Sequence, residues 1–285
     1  MPSNILTYQG LIDSAAKLLY ACSETPRIDA EILLQHATQE SLAWLIARGD
    51  NHASSDHMKS FFALLEQRQA GQPIAYICGY RDFWTLTLKV NQDVLIPRSD
   101  TETLVEQSLE KISADLPCNL LDLGTGSGAI ALALASERSQ AQVLAVDSQE
   151  KALIVAKQNA ESNGLKNVDF LHSNWFENIP NEHKFDLIAA NPPYVEAGDP
   201  HLEQGDLRFE PDTALIADKH GLADLQTIIN NSPKYLKKNG WLLVEHGYKQ
   251  AEQVKQLFSQ SGFCEIELFT DINQLPRCSA GQWRL

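Results

Sequence analysis

Residues 120–134 read Leu-Leu-Asp-Leu-Gly-Thr-Gly-Ser-Gly-Ala-Ile-Ala-Leu-Ala-Leu. A short apolar run runs into three alternating glycines and then into a run of small and apolar helix formers, which spells strand, tight turn, helix. Glycines belong in such a turn because the backbone must bend sharply and approach a ligand to a distance that a Cβ would block. The turn falls at the carboxyl end of a strand, where open α/β sheets bind their ligands.

The spacing is Gly-x-Gly-x-Gly, which departs from the Gly-x-Gly-x-x-Gly that rests a pyrophosphate on a helix N-terminus and so weakens a nicotinamide-dinucleotide reading. Asp147 closes the next apolar run, Val143 to Val146. It lies about 20 residues beyond the glycines, where a carboxylate can accept hydrogen bonds from both hydroxyls of a ribose. A ribose-containing cofactor is expected.

Further apolar runs follow at Val168 to Leu171, Phe185 to Ala190 and Trp241 to Glu245, separated by helical stretches. That alternation predicts a parallel sheet with helices on both faces. Phe263 to Phe269 and Gln282 to Leu285 are expected to supply two last strands. Upstream the texture differs. Leu11, Ile12, Ala15, Leu18, Leu19 and Cys22 recur at helical spacing, as do Ile28, Ile32, Leu33 and His36 after Pro26, and then Met58, Phe61, Phe62 and Leu65. Gly71, Pro73 and Gly79 interrupt this pattern, and Phe83 to Val90 alternates as strands do. The expected organisation is a helical bundle over 1–72, a β-hairpin linker over 73–98 and an α/β domain over 99–285.

Asn191-Pro192-Pro193-Tyr194 follows the strand Phe185 to Ala190 and so sits beside the glycine turn. Two prolines fix φ and remove two donors, so the Asn191 amide and the neighbouring carbonyls can be held rigidly around an incoming group. Tyr194 adds a flat face for stacking. Such a site suits a planar nitrogen whose lone pair is delocalised. Accepting both of its N–H hydrogens, on the Asn191 side-chain oxygen and a Pro192 carbonyl, orients it and offsets the charge that grows as it attacks. No strong base is required. His246 and Glu245 end a strand near the expected pocket rim, but a single histidine without a partner reads as structural. Arg98 and Glu102 read as a solvated pair at a helix start.

Composition bounds the rest. The 285 residues carry a formal net charge of -14 with 44% hydrophobic residues, so the chain reads as a soluble globular protein without a broad phosphate-binding surface. Cys22, Cys78, Cys118, Cys264 and Cys278 form no metal-ligand spacing and fit thiols in a reducing compartment. No metal is expected. The N-terminus lacks the layout of a signal peptide, and no apolar run is long enough for a bilayer, so a cytoplasmic protein is expected.

The Asp-Leu-Gly-Thr-Gly-Ser-Gly run resembles the nucleotide motif of class I S-adenosylmethionine methyltransferases, and Asn-Pro-Pro-Tyr occurs in both DNA adenine-N6 and protein glutamine-N5 methyltransferases. Three further stretches narrow this: Pro26 to Glu31; Gly71 to Gly79 with Phe83-Trp84 and Leu95 to Glu102; and Asp206 to Pro211 with Ala214-Leu215. They resemble the release factor glutamine methyltransferases, the PrmC/HemK family, over nearly the whole chain. Ser99, where the family usually has proline, and Cys278-Ser279-Ala280, in place of a more apolar run, depart from it.

The resemblance implies a Rossmann-like seven-stranded α/β fold and a helical N-terminal domain that grips the substrate. It implies S-adenosylmethionine held by Gly124, Thr125, Gly126, Ser127, Gly128, Asp147, Trp175 and Asn191, with Trp175 at the adenine. It also implies methylation of the glutamine in the Gly-Gly-Gln loop of peptide chain release factors 1 and 2, on Asn191, Pro192, Pro193 and Tyr194. The expected state is a monomer without stable nucleic-acid or membrane partners. A ribosomal-protein glutamine, or an adenine in DNA, are the alternative substrates.

Overall fold

In a computed structural model, residues 6–203 and 205–284 are described. The chain divides into two compact units, Met1–Gly79 with Pro200–Phe209, and Tyr80–Asp199 with Glu210–Leu285.

The first unit is helical. Helix α1 spans Tyr8–Leu19, α2 Pro26–Thr38, α3 Leu42–Ala47, α4 Ser55–Gln69 and α5 Ile74–Cys78. Thr7 caps α1 by accepting the Gly10 N–H at 3.1 Å, and Pro26 occupies the first turn of α2, where a missing N–H costs nothing. Leu11, Ile12, Ala15 and Leu19 pack with Leu33, Leu34, Leu45, Phe61 and Leu65. The observed faces differ from the expected stripes. Leu18 is 53% exposed, Ile28 54% and Phe62 44%, while Leu34 and Asp29 are buried.

The reason Asp29 is buried is Arg68, whose Nε donates to Asp29 Oδ2 at 2.8 Å and whose Nη1 donates to Asp206 Oδ1 at 3.0 Å. A buried guanidinium must be paired, and this one takes its second carboxylate from the segment Pro200–Phe209. That segment therefore groups with the helices and not with the α/β unit, within which the expected boundary of 99–285 would have placed it.

The second unit opens with an antiparallel hairpin, β1 Tyr80–Phe83 and β2 Leu86–Lys89. It continues through α6 Glu102–Lys111, β3 Asn119–Leu123, α7 Ala129–Glu137, β4 Gln142–Asp147, α8 Glu150–Ser162, β5 Val168–His172 and β6 Phe185–Ala190. Then come β7 Val195–Glu196, α9 Asp212–Leu215, β8 Ile216–Ala217, α10 Asp218–Gly221, α11 Ala223–Asn231, β9 Leu236–Glu245, α12 Ala251–Gln260, β10 Cys264–Thr270 and β11 Pro276–Trp283.

Seven strands form one sheet in the order β10-β11-β9-β6-β3-β4-β5, parallel except for β11, which is antiparallel to both its neighbours. Leu120 faces one core, with Leu104, Val105 and Leu132, while Leu121 and Leu123 face the other, with Leu225, Ile228 and Phe258. Burial on both faces is why these strands read as unbroken apolar runs. β11 runs earlier in the chain than Gln282 to Leu285, and Leu285 lies outside the described residues. Its centre is Cys278, Ser279 and Ala280, small side chains buried where the strand pairs with Glu245, Val244 and Leu243 of β9. No helix among the described residues is long and apolar enough to cross a membrane.

Candidate active site

Three strands end side by side. Leu123 of β3 pairs with Val146 of β4 and with Ala190 of β6, so Gly124, Asp147 and Asn191 are the next residues out of three adjacent strands. β3 and β6 meet at the point where the strand order reverses, the crevice that doubly wound sheets use for ligands. A cavity of about 200 Å3 opens there, lined among others by Gly124, Gly126, Asp147, Trp175, Asn191 and Pro193.

The glycine turn divides its labour. The N–H groups of Gly124 and Thr125 both donate to Val146 O at 2.9 Å, and Gly126 N–H donates to Asp147 Oδ2 at 2.9 Å. Gly126 has φ +55, and a Cβ built on it would meet nothing within 4 Å: it would project into the open cavity. Gly128 has φ +88, and its Cβ would meet Leu132 Cδ1 at 3.0 Å and Ala156 Cβ at 3.3 Å. So Gly126 keeps space for a ligand, whereas Gly128 lets α7 pack closely. Thr125 and Ser127 are buried, and neither they nor Gly128 line the cavity.

Beneath the turn, the fully buried Asp122 accepts the Thr125 hydroxyl at 2.6 Å and the Ala131 N–H at 3.1 Å. It thus ties the loop to the first turn of α7. Burial pushes its carboxyl up to about 7, against the pull of those hydrogen bonds. Asp147 also sits above its ordinary range because of burial, opposed by N–H groups of Gln149, Gly126 and Ser148. Its Oδ1 accepts Gln149 N–H at 2.8 Å.

Trp175 lies on the cavity wall with φ +48, a conformation that bulky residues rarely hold. Its ring would touch a Cβ on Gly124 at 3.2 Å, and its Nε1 donates to Asp224 Oδ1 at 3.1 Å. Asp224, another lining residue, has its pKa raised by burial.

After β6 the chain turns through Asn191, Pro192, Pro193 and Tyr194. Asn191 Nδ2 donates to Thr101 Oγ1 at 3.1 Å, which leaves the side-chain oxygen as the acceptor. Tyr194 OH donates to Glu245 Oε1 at 3.4 Å, and its carbonyl accepts Gln250 Nε2 at 3.2 Å. Gly221 packs on that carbonyl so closely that a Cβ would come within 2.1 Å of it. Burial, then Glu245, raises the Tyr194 pKa, so the phenol stays protonated. Asn191 and Pro193 line the cavity, and Pro192 and Tyr194 adjoin them in the chain.

Sequence reasoning missed Asp122, Thr101 and Asp224, and set Glu245 aside. Only Asp122, an acidic residue inside an otherwise apolar strand, carried a local signal. Burial pushes Glu245 up to about 7, countered by hydrogen bonding from Thr101. His246 is satisfied by Ser279 Oγ at 2.8 Å and Gly247 O at 3.0 Å. Arg98 pairs with the buried Glu210, which also accepts the Ile96 N–H at 3.0 Å, and Glu102 accepts the Trp84 N–H at 2.9 Å. Both therefore brace the chain and are not a solvated cap. No cluster of three potential metal ligands occurs among the described residues.

Residues 115–278 match the model of a methyltransferase domain, and residues 11–79 that of the PrmC N-terminal domain. The chain is 44% identical to the release factor glutamine methyltransferase of Escherichia coli strain K12, covering 98% of this chain and 99% of that one. It is 45% identical to the Aliivibrio fischeri protein of the same description, covering 92% of each. It is 46% identical to that of Xylella fastidiosa strain Temecula1, covering 94% and 97%. Among solved structures, the hMettl16 catalytic domain in complex with a 3′UTR hairpin superposes with TM-score 0.56 at 17% identity, covering 80% of this chain and 81% of that one. The T. thermophilus 16S rRNA methyltransferase RsmC, in complex with AdoMet and guanosine, does so with TM-score 0.54 at 19% identity, covering 72% and 50%. The seven-stranded sheet and the match to a methyltransferase domain give the class I methyltransferase fold, and the two structures share its architecture.

Proposed function

Because the chain belongs to the release factor glutamine methyltransferase family, we propose that it methylates the side-chain amide nitrogen of the glutamine in the Gly-Gly-Gln loop of peptide chain release factors 1 and 2. The observation that carries this reading is the shared end of β3, β4 and β6. There a ligand-sized space over Gly126 and a carboxylate at Asp147 lie beside an asparagine whose amide nitrogen is already engaged.

The residues fit S-adenosylmethionine. Gly124 and Gly126 leave the backbone bare, Asp147 offers carboxylate oxygens to a ribose, and Trp175 offers an indole face to adenine. Bound there, the cofactor supplies an electrophilic methyl on a sulfonium. The glutamine amide is a poor nucleophile because its lone pair is shared with the carbonyl. The Asn191 oxygen and the Pro192 carbonyl accept its two N–H hydrogens, which aims the nitrogen and stabilises the positive charge it gains. With S-adenosylmethionine held there, its methyl would pass from sulfur to the amide nitrogen, and one amide proton would leave to water. Tyr194, held by Glu245 and by the backbone contact at Gly221, gives the planar amide a fixed face. The helical unit is read as the surface that grips the factor, and the protein as a cytoplasmic monomer.

The test is mass spectrometry of purified release factor incubated with this protein and S-adenosylmethionine. A single methyl on the glutamine of the Gly-Gly-Gln loop is expected. An unmodified factor, with cofactor binding intact, would overturn the substrate and move the search to ribosomal proteins and then DNA.

A further inference from the structure

Trp175 follows the end of β5 with a left-handed backbone, φ +48, which a bulky residue keeps only where its surroundings hold it there. Ser173, itself buried, holds the backbone: its hydroxyl donates to Trp175 O at 2.9 Å and accepts the Asn178 N–H at 3.0 Å. The indole is held at both ends. Its six-membered ring lies against the glycine turn, where a Cβ on Gly124 would meet Cζ3 at 3.2 Å and Cη2 at 3.5 Å. At the other end Nε1 donates to Asp224 Oδ1 at 3.1 Å, in the first turn of α11.

The two ends are held by different forces. Apolar packing buries a ring with little preference for direction, whereas an indole has a single donor, and a hydrogen bond to it fixes where that edge points. Asp224 is half-buried and lines the same cavity as Trp175, Gly124 and Asp147. Burial raises its pKa, and the Trp175 hydrogen bond opposes that. A carboxyl partly withdrawn from water at the wall of a ligand-sized space is a group to be explained, and its contact is the one aromatic side chain that lines the space.

We infer that Asp224 is a positioning residue for the cofactor: by accepting the Trp175 Nε1–H it holds the indole where the ring meets adenine. The inference rests on the function proposed above in that Trp175 is taken as the adenine wall. The role belongs to the acceptor oxygen and not to the charge. That separates it from the other thing an acid in this cavity could do, which is to attract the positive charge of S-adenosylmethionine directly.

The experiment compares Asp224→Ala, Asp224→Asn, Trp175→Phe and Trp175→Ala with the wild type. Calorimetry reads S-adenosylmethionine affinity, Tm reads folding, and NMR reads the Trp175 indole N–H, identified by its disappearance in Trp175→Phe. Asp224→Ala is expected to weaken the cofactor by about 5- to 10-fold, the worth of one hydrogen bond, with Tm near that of the wild type. Asp224→Asn keeps an acceptor oxygen and should bind within about two-fold of the wild type. Without cofactor, the indole N–H resonance should move further in Asp224→Ala than in Asp224→Asn. In a Trp175→Phe background, which has no Nε1, Asp224→Ala should cost nothing further, because its effect passes through the indole.

Asp224→Asn binding as weakly as Asp224→Ala would give the role to the charge and overturn the inference. So would full addition of the Trp175→Phe and Asp224→Ala losses, or an indole resonance unmoved in Asp224→Ala. Wild-type affinity in Trp175→Ala would remove the adenine wall and the inference with it. A loss of affinity there with none in Asp224→Ala would remove the inference alone.

Discussion

The turn after β3 and the turn after β6 leave adjacent strands of one sheet, yet they are made of opposite materials. The first works by removing side chains. Gly126 presents bare backbone to the cavity, whereas Thr125 and Ser127 are buried, and the Thr125 hydroxyl and the Ser127 carbonyl tie the loop to Asp122 and Asn159. The second works by fixing them: two prolines stiffen the backbone, and Thr101, Glu245 and Gln250 hold Asn191 and Tyr194 from behind. A cofactor that must only be bound is accommodated by shape. A nitrogen that must react needs acceptors aimed at charge that does not exist until the transition state.

This contrast can be broken first at Asn191. Asn191→Ala should lower methyl transfer by about 100- to 1000-fold, the loss seen when an acceptor or donor aimed at developing charge is removed, while calorimetry finds cofactor affinity within a few-fold. Equal losses in both would make the second turn a binding element like the first. Asp147→Ala should do the reverse, weakening cofactor affinity by roughly 10- to 100-fold, as expected for a hydrogen-bonded charge, with little change in rate at saturating cofactor.

Gly128→Ala sharpens the division inside the glycine turn. The left-handed φ and the contact with Leu132 predict a stability loss of about 1–2 kcal/mol, read as a fall in Tm, with cofactor affinity per folded molecule preserved. A variant of normal Tm that no longer binds would return Gly128 to the ligand. The last test is at Asp122. Its folded pKa of about 7 lies above the ordinary aspartate value of 3.8, so the folded state binds the extra proton. The stability this adds is fully present below about pH 4 and is lost as pH rises through about 7. Asp122→Asn should flatten that part of the Tm–pH curve, and an unchanged slope would mean the carboxyl is ionised throughout.

The features legible in the sequence were those whose cause is local. Leu120 to Leu123 and Phe185 to Ala190 read as strands because each is buried on both faces, and the glycines read as a turn because other residues take those dihedrals only at a cost. The helical unit was harder. Helices α3 and α5 are too short to show a period, and the buried face of α2 includes Asp29, a residue that polarity assigns to solvent until Arg68 is placed beside it. β11 was misplaced because Cys278-Ser279-Ala280 lacks the bulk by which a strand announces itself, and the small residues make sense only between β9 and β10.

The sequence by itself therefore singled out the motifs of the candidate site: a strand-borne glycine turn, Asp147, proposed to take a ribose, and Asn-Pro-Pro-Tyr, proposed as the acceptor, each a short motif whose geometry is set by neighbouring residues. Only the tertiary structure decided how that site is held. Thr101 and Glu245 lie 90 and 54 positions from Asn191 in the chain, and Asp224 lies 49 from Trp175. Which distant polar groups share a buried proton depends on strands and helices packing against one another, and no local pattern records that.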